Sequence, residues 1–133
     1  MISKLEHPLE MLTTEEISLA YEIYKTSESY DEATHFSQIS LVEPSKEFLK
    51  DFKSGDLFER EVKLIGRDSA LDGGFVAIIN LSNKTLNVER VSKSAQVQYT
   101  VQDIFTAMTL LKEHPDYQTA MKKRGITLSL IHI

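Results

Sequence analysis

The stretch His7-Pro8-Leu9-Glu10-Met11-Leu12-Thr13-Thr14-Glu15-Glu16-Ile17 constrains this chain more than any other. It carries every signal that starts a helix. Thr13 is placed to cap the first turn, and Glu16, three residues on, completes a capping box. Leu12 and Ile17 occupy the two positions of a hydrophobic staple. Ile17, Ala20, Tyr21 and Tyr24 follow the spacing of one buried stripe, so a helix is predicted over 12–27. Glu15, Ser18 and Glu22 are left to face water. A helix with a single apolar face needs a surface to cover, and the residues up to 91 are patterned to supply one.

Period-2 alternation of Ile39 and Leu41 about Ser40 predicts a strand over 36–42, and Pro44, with no N–H to donate, ends its pairing. Residues 45–53 read as a short helix burying Phe48, Leu49 and Phe52, broken by Ser54-Gly55-Asp56. Three strands are predicted next. The first, 59–68, carries Val62 and Leu64 on one face. Asp72-Gly73-Gly74 turns the chain into 75–81, apolar almost throughout, as a central strand is. Ser82-Asn83-Lys84 turns it again into 86–91, with Leu86 and Val88 inward. The expected fold class is α+β: a helix packed on a four-stranded antiparallel meander.

A second unit begins near residue 96. Tyr99, Thr100, Asp103 and Ile104 repeat the cap-and-staple logic, and Ile104, Phe105, Met108 and Leu111 give that helix a wide apolar face. Pro115 suits the first position of another helix. Tyr117, Ala120 and Met121 form its stripe, Lys122-Lys123-Arg124 complement its C-terminal dipole, and Gly125 stops it. Neither helix has a sheet of its own to pack on.

Bulk properties exclude several roles. The chain has 133 residues, no cysteine and a net charge of −5. Disulfides, thiolate metal sites and cysteine nucleophiles are ruled out. A phosphate backbone is repelled overall, so no nucleic-acid partner is expected. No apolar run approaches the ~20 residues that span a bilayer, and none of the opening residues resembles a secretory leader. No membrane association is expected, and, with Met1 as the natural start, a cytoplasmic location is expected.

Candidate chemical groups are present but scattered. Among His7, His35, His114 and His132, no two are spaced as a ligand pair, and His7 and His114 each precede a proline at a helix entry. Glu15-Glu16 serves the cap and dipole, and Asp31-Glu32 sits in a polar loop, so neither is read as an acid/base pair. Asp72-Gly73-Gly74 lacks the lysine and the strand-to-helix setting of a phosphate loop. Lys122-Lys123-Arg124 is too short for a nucleic-acid patch. Tyr21, Tyr24 and Tyr30 could stack a ligand, but Tyr21 and Tyr24 lie on the core stripe. No catalytic, cofactor-binding or metal residue is therefore assigned.

The opening stretch also resembles the start of copper amine oxidases, whose N-terminal region has a His-Pro-Leu-x-x-Leu-(Thr/Ser)-x-x-Glu-Ile segment. Glu43-Pro44-Ser45-Lys46 is similar to the Glu-Pro-x-Lys that follows a strand in that family. Lys112-Glu113-His114-Pro115-Asp116-Tyr117-Gln118 and Lys123-Arg124-Gly125-Ile126 resemble motifs of the family's second small domain. Order and spacing agree over 7–127. The resemblance implies a cystatin-like first domain over 1–95 and the opening helices of an incomplete second over 96–127. It implies a parent enzyme that oxidises primary amines with copper and topaquinone, as a homodimer. The parent's C-terminal catalytic domain, with its Asn-Tyr-(Asp/Glu) and His-x-His motifs, would be the missing partner of this fragment. Tyr30-Asp31 follows Ser29 rather than asparagine, so the quinone position is not carried over. Residues 128–133, Leu-Ser-Leu-Ile-His-Ile, do not resemble the family's continuation. They match one reading frame of a transposon end used in DNA library preparation, and a non-native tail is expected there. The competing expectation is a stand-alone cystatin-like binding module without enzymatic activity.

Overall fold

The structure is a computed structural model and describes residues 6–69, 73–92 and 94–126. Asp72, Thr127 and the 128–133 tail with His132 lie outside the described residues. The chain divides into two compact units, Met1–Gln98 and Tyr99–Ile133. It is α+β, with one four-stranded antiparallel sheet and four helices among the described residues. No helix among them is long and apolar enough to cross a membrane.

In the first unit, α1 (Thr14–Lys25) begins at Thr13 as the capping box predicts. The Thr13 hydroxyl accepts from Glu16 N at 3.2 Å, and the Glu16 carboxylate accepts from Thr13 N at 2.8 Å. These bonds satisfy amide donors that the first turn of a helix leaves unpaired. The predicted stripe needs one correction. Ala20 and Tyr24 are fully buried, but Ile17 is 36% exposed. Ile23, unassigned by the sequence pattern, packs on the core instead. The staple places Ile17 at the entry end of the helix, beyond the region where the core is deepest.

The sheet is an up-and-down meander of β1 (His35–Val42), β2 (Glu61–Arg67), β3 (Phe75–Asn80) and β4 (Thr85–Arg90). Val62 and Leu64 of β2 pair with Ile79 and Ala77 of β3, which puts all four on the covered face, fully buried. Leu86 and Val88 pair with Ile79 and Ala77 from the other side and pack against the same core. In β1 the apolar residues Phe36, Ile39 and Leu41 change parity, yet they pair with Gly66, Leu64 and Val62 of one face. A bulge between Phe36 and Gln38 makes this possible, since one extra residue reverses the alternation. Tyr24 stacks on Phe75 at 4.9 Å, and Phe36 meets both rings edge-on at 5.2 and 6.0 Å.

The short helix α2 (Lys46–Asp51) forms with Ser45 as its cap. It does not bury Phe48, which is 40% exposed. Phe48 and Phe52 join Phe58 and the edge of His7 in a satellite cluster away from the main core. Six residues make too few turns to present a face to the sheet and to these rings at once.

The second unit contains α3 (Val101–Glu113) and α4 (Pro115–Lys123). Thr100 caps α3 in a box with Asp103. His114 joins the helices, and the Gln118 side chain donates to the Lys112 carbonyl at 2.9 Å, satisfying an acceptor at the end of α3. Gly125, at φ +69°, ends α4 in a Schellman motif, with Ile126 N donating to Met121 O and Gly125 N to Lys122 O. No residue of either helix is buried.

Candidate functional site

The most elaborate polar site in the first unit centres on Arg60, just before β2. Its guanidinium is 5% exposed and is ringed by acceptors from the opening segment. Nε donates to the Glu16 carboxylate at 2.6 Å, and Nη1 to the Pro8 carbonyl at 2.9 Å. Nη2 reaches Glu10 O at 2.9 Å, Met11 O at 3.3 Å and the second Glu16 oxygen at 3.1 Å. A buried charge is tolerated when it is paired and hydrogen-bonded, and here Glu16 pairs it and all three nitrogens find acceptors. Glu16 thus caps α1 and neutralises Arg60 with one carboxylate.

The opening segment is preorganised to present those carbonyls. Glu10 accepts from the amides of Glu6 and His7 at 2.6 and 2.7 Å, and these bonds hold its carboxyl below the ordinary carboxylate range. His7 Nδ1 accepts from Leu9 N at 3.1 Å, and the imidazole edge meets Phe52 at 5.2 Å. Pro8 is fully buried. The His-Pro-Leu motif is therefore a strap wound onto Arg60.

Beside the strap lies an open groove of about 650 Å³ between the start of α1 and the 54–58 loop. Glu15, Glu16 and Asp56 give it acidic walls, and Leu19, Leu57 and Leu81 give it apolar ones. Each of the three guanidinium nitrogens of Arg60 already donates to an acceptor of its own chain, and its charge is paired with Glu16.

The structure keeps the other sequence candidates apart. His7 belongs to the strap, His35 opens β1 and His114 joins α3 to α4. Among the described residues, no three His, Asp or Glu side chains converge as metal ligands. These residues do not fit a copper site. Asp31 accepts from the Ser69 hydroxyl and amide and from Ala33 N and Thr34 Oγ1, and these bonds, the Ser69 hydroxyl first, hold its carboxyl low. It is a clip between two loops, and Glu32 beside it takes no part in those bonds. Lys122, Lys123 and Arg124 finish α4. Tyr24 is a core residue whose phenol burial pushes up to about 12, and Tyr21 packs edge-on against Phe36.

Sequence reasoning passed over the buried charges that flank β2. Arg60 stands at its start. Asp68 stands at its end, 4% exposed and bonded at 2.8 Å to Arg90, whose own proton it holds more tightly. The available signal was their position: charges at both ends of a strand patterned as buried require partners.

The model of the family described as copper amine oxidase, N2 domain, matches residues 7–92. The chain is similar to the primary amine oxidase of Arthrobacter sp. (strain P1), with 27% identity over 124 residues, covering 92% of this chain and 19% of that protein. The copper methylamine oxidase of the same strain matches to the same extent. The primary amine oxidase of Klebsiella aerogenes is 29% identical over 131 residues, 95% of this chain and 17% of that protein. The chain spans about a fifth of the length of these curated relatives.

Proposed function

This chain belongs to the copper amine oxidase family through its N2 domain, and from that premise we propose that it is a non-catalytic N-terminal part of a primary amine oxidase. The observation that carries this reading is the family match over residues 7–92, extended by relatives that align with over nine-tenths of the chain. The parent enzyme would convert primary amines and oxygen to aldehyde, ammonia and hydrogen peroxide, using copper and topaquinone, as a homodimer in the cytoplasm. No step of that chemistry is assigned to residues of this chain. Its role in the parent is scaffolding beside the catalytic domain, which belongs to the same polypeptide.

On this reading residues 1–95 are the first small domain and 96–127 open the second. The unburied apolar residues of α3, among them Phe105 at 59% and Leu110 at 63% exposure, support an unfinished second domain. A stand-alone binding module is the second reading, favoured by the self-contained core of the first unit.

Sequencing the flanking DNA separates the two. The oxidase reading expects a continuous downstream frame encoding Asn-Tyr-(Asp/Glu) and His-x-His. A stop codon directly after Ile133 in source DNA would overturn it. For the isolated chain, no stoichiometric copper after dialysis and no peroxide from primary amines are expected.

A further inference from the structure

The two glycines that lead into β3 have different reasons to be glycine. Gly73 has φ +100°, a left-handed conformation that side chains resist. Gly74 has no positive φ, so backbone freedom does not explain it. Close approach does. A Cβ on Gly74 would lie 2.0 Å from Val97 Cγ2 and 2.6 Å from Gly66 O. A Cβ on Gly73 would lie 2.8 Å from Ser92 O and 3.3 Å from Ala95 O.

The chain that approaches is the segment after β4. Val91 N donates to Gly74 O at 3.0 Å, continuing the ladder by one rung. A turn follows, closed by Ala95 N on Ser92 O at 2.8 Å and Ser94 N on Ser92 Oγ at 3.3 Å. Val97, half-buried, then lies against the bare face of Gly74. All these residues belong to the first unit.

We infer that Gly73-Gly74 and Val97 form a latch, in which the glycine pair seats the segment after β4 and fixes where the chain leaves the first unit. The seat holds one apolar side chain and a polar turn, so its opening is a local event that leaves the sheet intact. Once open, residues 94–98 become a tether that can extend to about 17 Å. The latch is thus a conformational device that trades a fixed exit for a slack one. It concerns the first unit alone and stands apart from the identity of the parent.

Val97→Ala tests it without touching the hairpin, with amide hydrogen exchange as the readout. Exchange at Ala95 should rise about tenfold, the effect of removing part-buried methyl groups, while Ile78 and Ile79 in β3 stay as slow as before. Gly74→Ala should likewise expose Ala95. An unchanged Ala95 in Val97→Ala would overturn the latch. So would an equal rise at Ile79, which would make Val97 an ordinary part of the core.

Discussion

Arg60 shows how much one side chain can organise. Its guanidinium gathers a carboxylate and three carbonyls from residues 8–16, so the strap and the start of α1 depend on it. Arg60→Leu leaves Glu16 and those carbonyls without their donor, and should destabilise the first unit by about 3 kcal/mol. Thr13→Ala removes only the cap and should cost about 1 kcal/mol. Urea midpoints give both values, and equal losses would mean that Arg60 is peripheral. Tyr24 supplies a pH signature. Burial first, then the Asp68 charge, raises its phenol from 10 to about 12. The folded state therefore keeps a proton that the unfolded chain gives up near pH 10. Its contribution is complete below that pH and is lost as pH rises through about 12, up to about 3 kcal/mol in all. Melts across this window should show the alkaline decline in the wild type and a shallower one in Tyr24→Phe. Identical declines would assign the effect to other groups.

Among the elements, the β3–β4 hairpin carries a local strain that can be relieved. Lys84 sits at φ +58° in the turn, and Asn83 beside it accepts from Thr85 N and Oγ1 at 3.0 and 2.6 Å. A left-handed lysine costs about 1–2 kcal/mol, partly offset in a glycine by its greater freedom when unfolded. Lys84→Gly should raise stability by about 0.5–1 kcal/mol. A lower thermal midpoint would show that the lysine stem packs usefully. β1 illustrates the opposite device. Its bulge near Ser37 spends a residue to bring Phe36, Ile39 and Leu41 onto one face, and it breaks the regularity of an edge strand.

For the whole molecule, the two units differ in what holds them. The first has a continuous core of Ala20, Tyr24, Val62, Leu64, Phe75, Ala77 and Ile79. The second has α3, capped by Thr100, and α4, closed at its C-terminus by Gly125, without a buried residue in either helix. Helices of 13 and 9 residues are marginal in water when packing does not support them. Amide exchange should therefore be fast across 101–123 and slow in β2 and β3. Equal protection would show the second unit to be complete as it stands, and would favour the stand-alone module. Exposed Phe105, Leu110 and Leu111 also predispose the isolated chain to self-association.

The sequence by itself determined whatever depends on near neighbours. Thr13 with Glu16 and Thr100 with Asp103 start helices, and Gly125 stops one, through bonds that span only a few residues; Pro115 suits a first turn because it has no N–H to leave unpaired, and all were legible. So was the meander, because alternating apolar residues separated by turn residues admit few other layouts. The family was legible for a related reason: its motifs are these same local signals, together with the strap. Tertiary structure alone decided the rest. Which end of the α1 stripe is deep depends on where the sheet lies, so Ile23 rather than Ile17 meets the core. The role of Arg60 rests on acceptors 44 to 52 residues away, and that of Gly74 on a side chain from beyond β4. A one-dimensional pattern records which residues are apolar or flexible. It does not record which distant carbonyl, ring or methyl group folding brings against them.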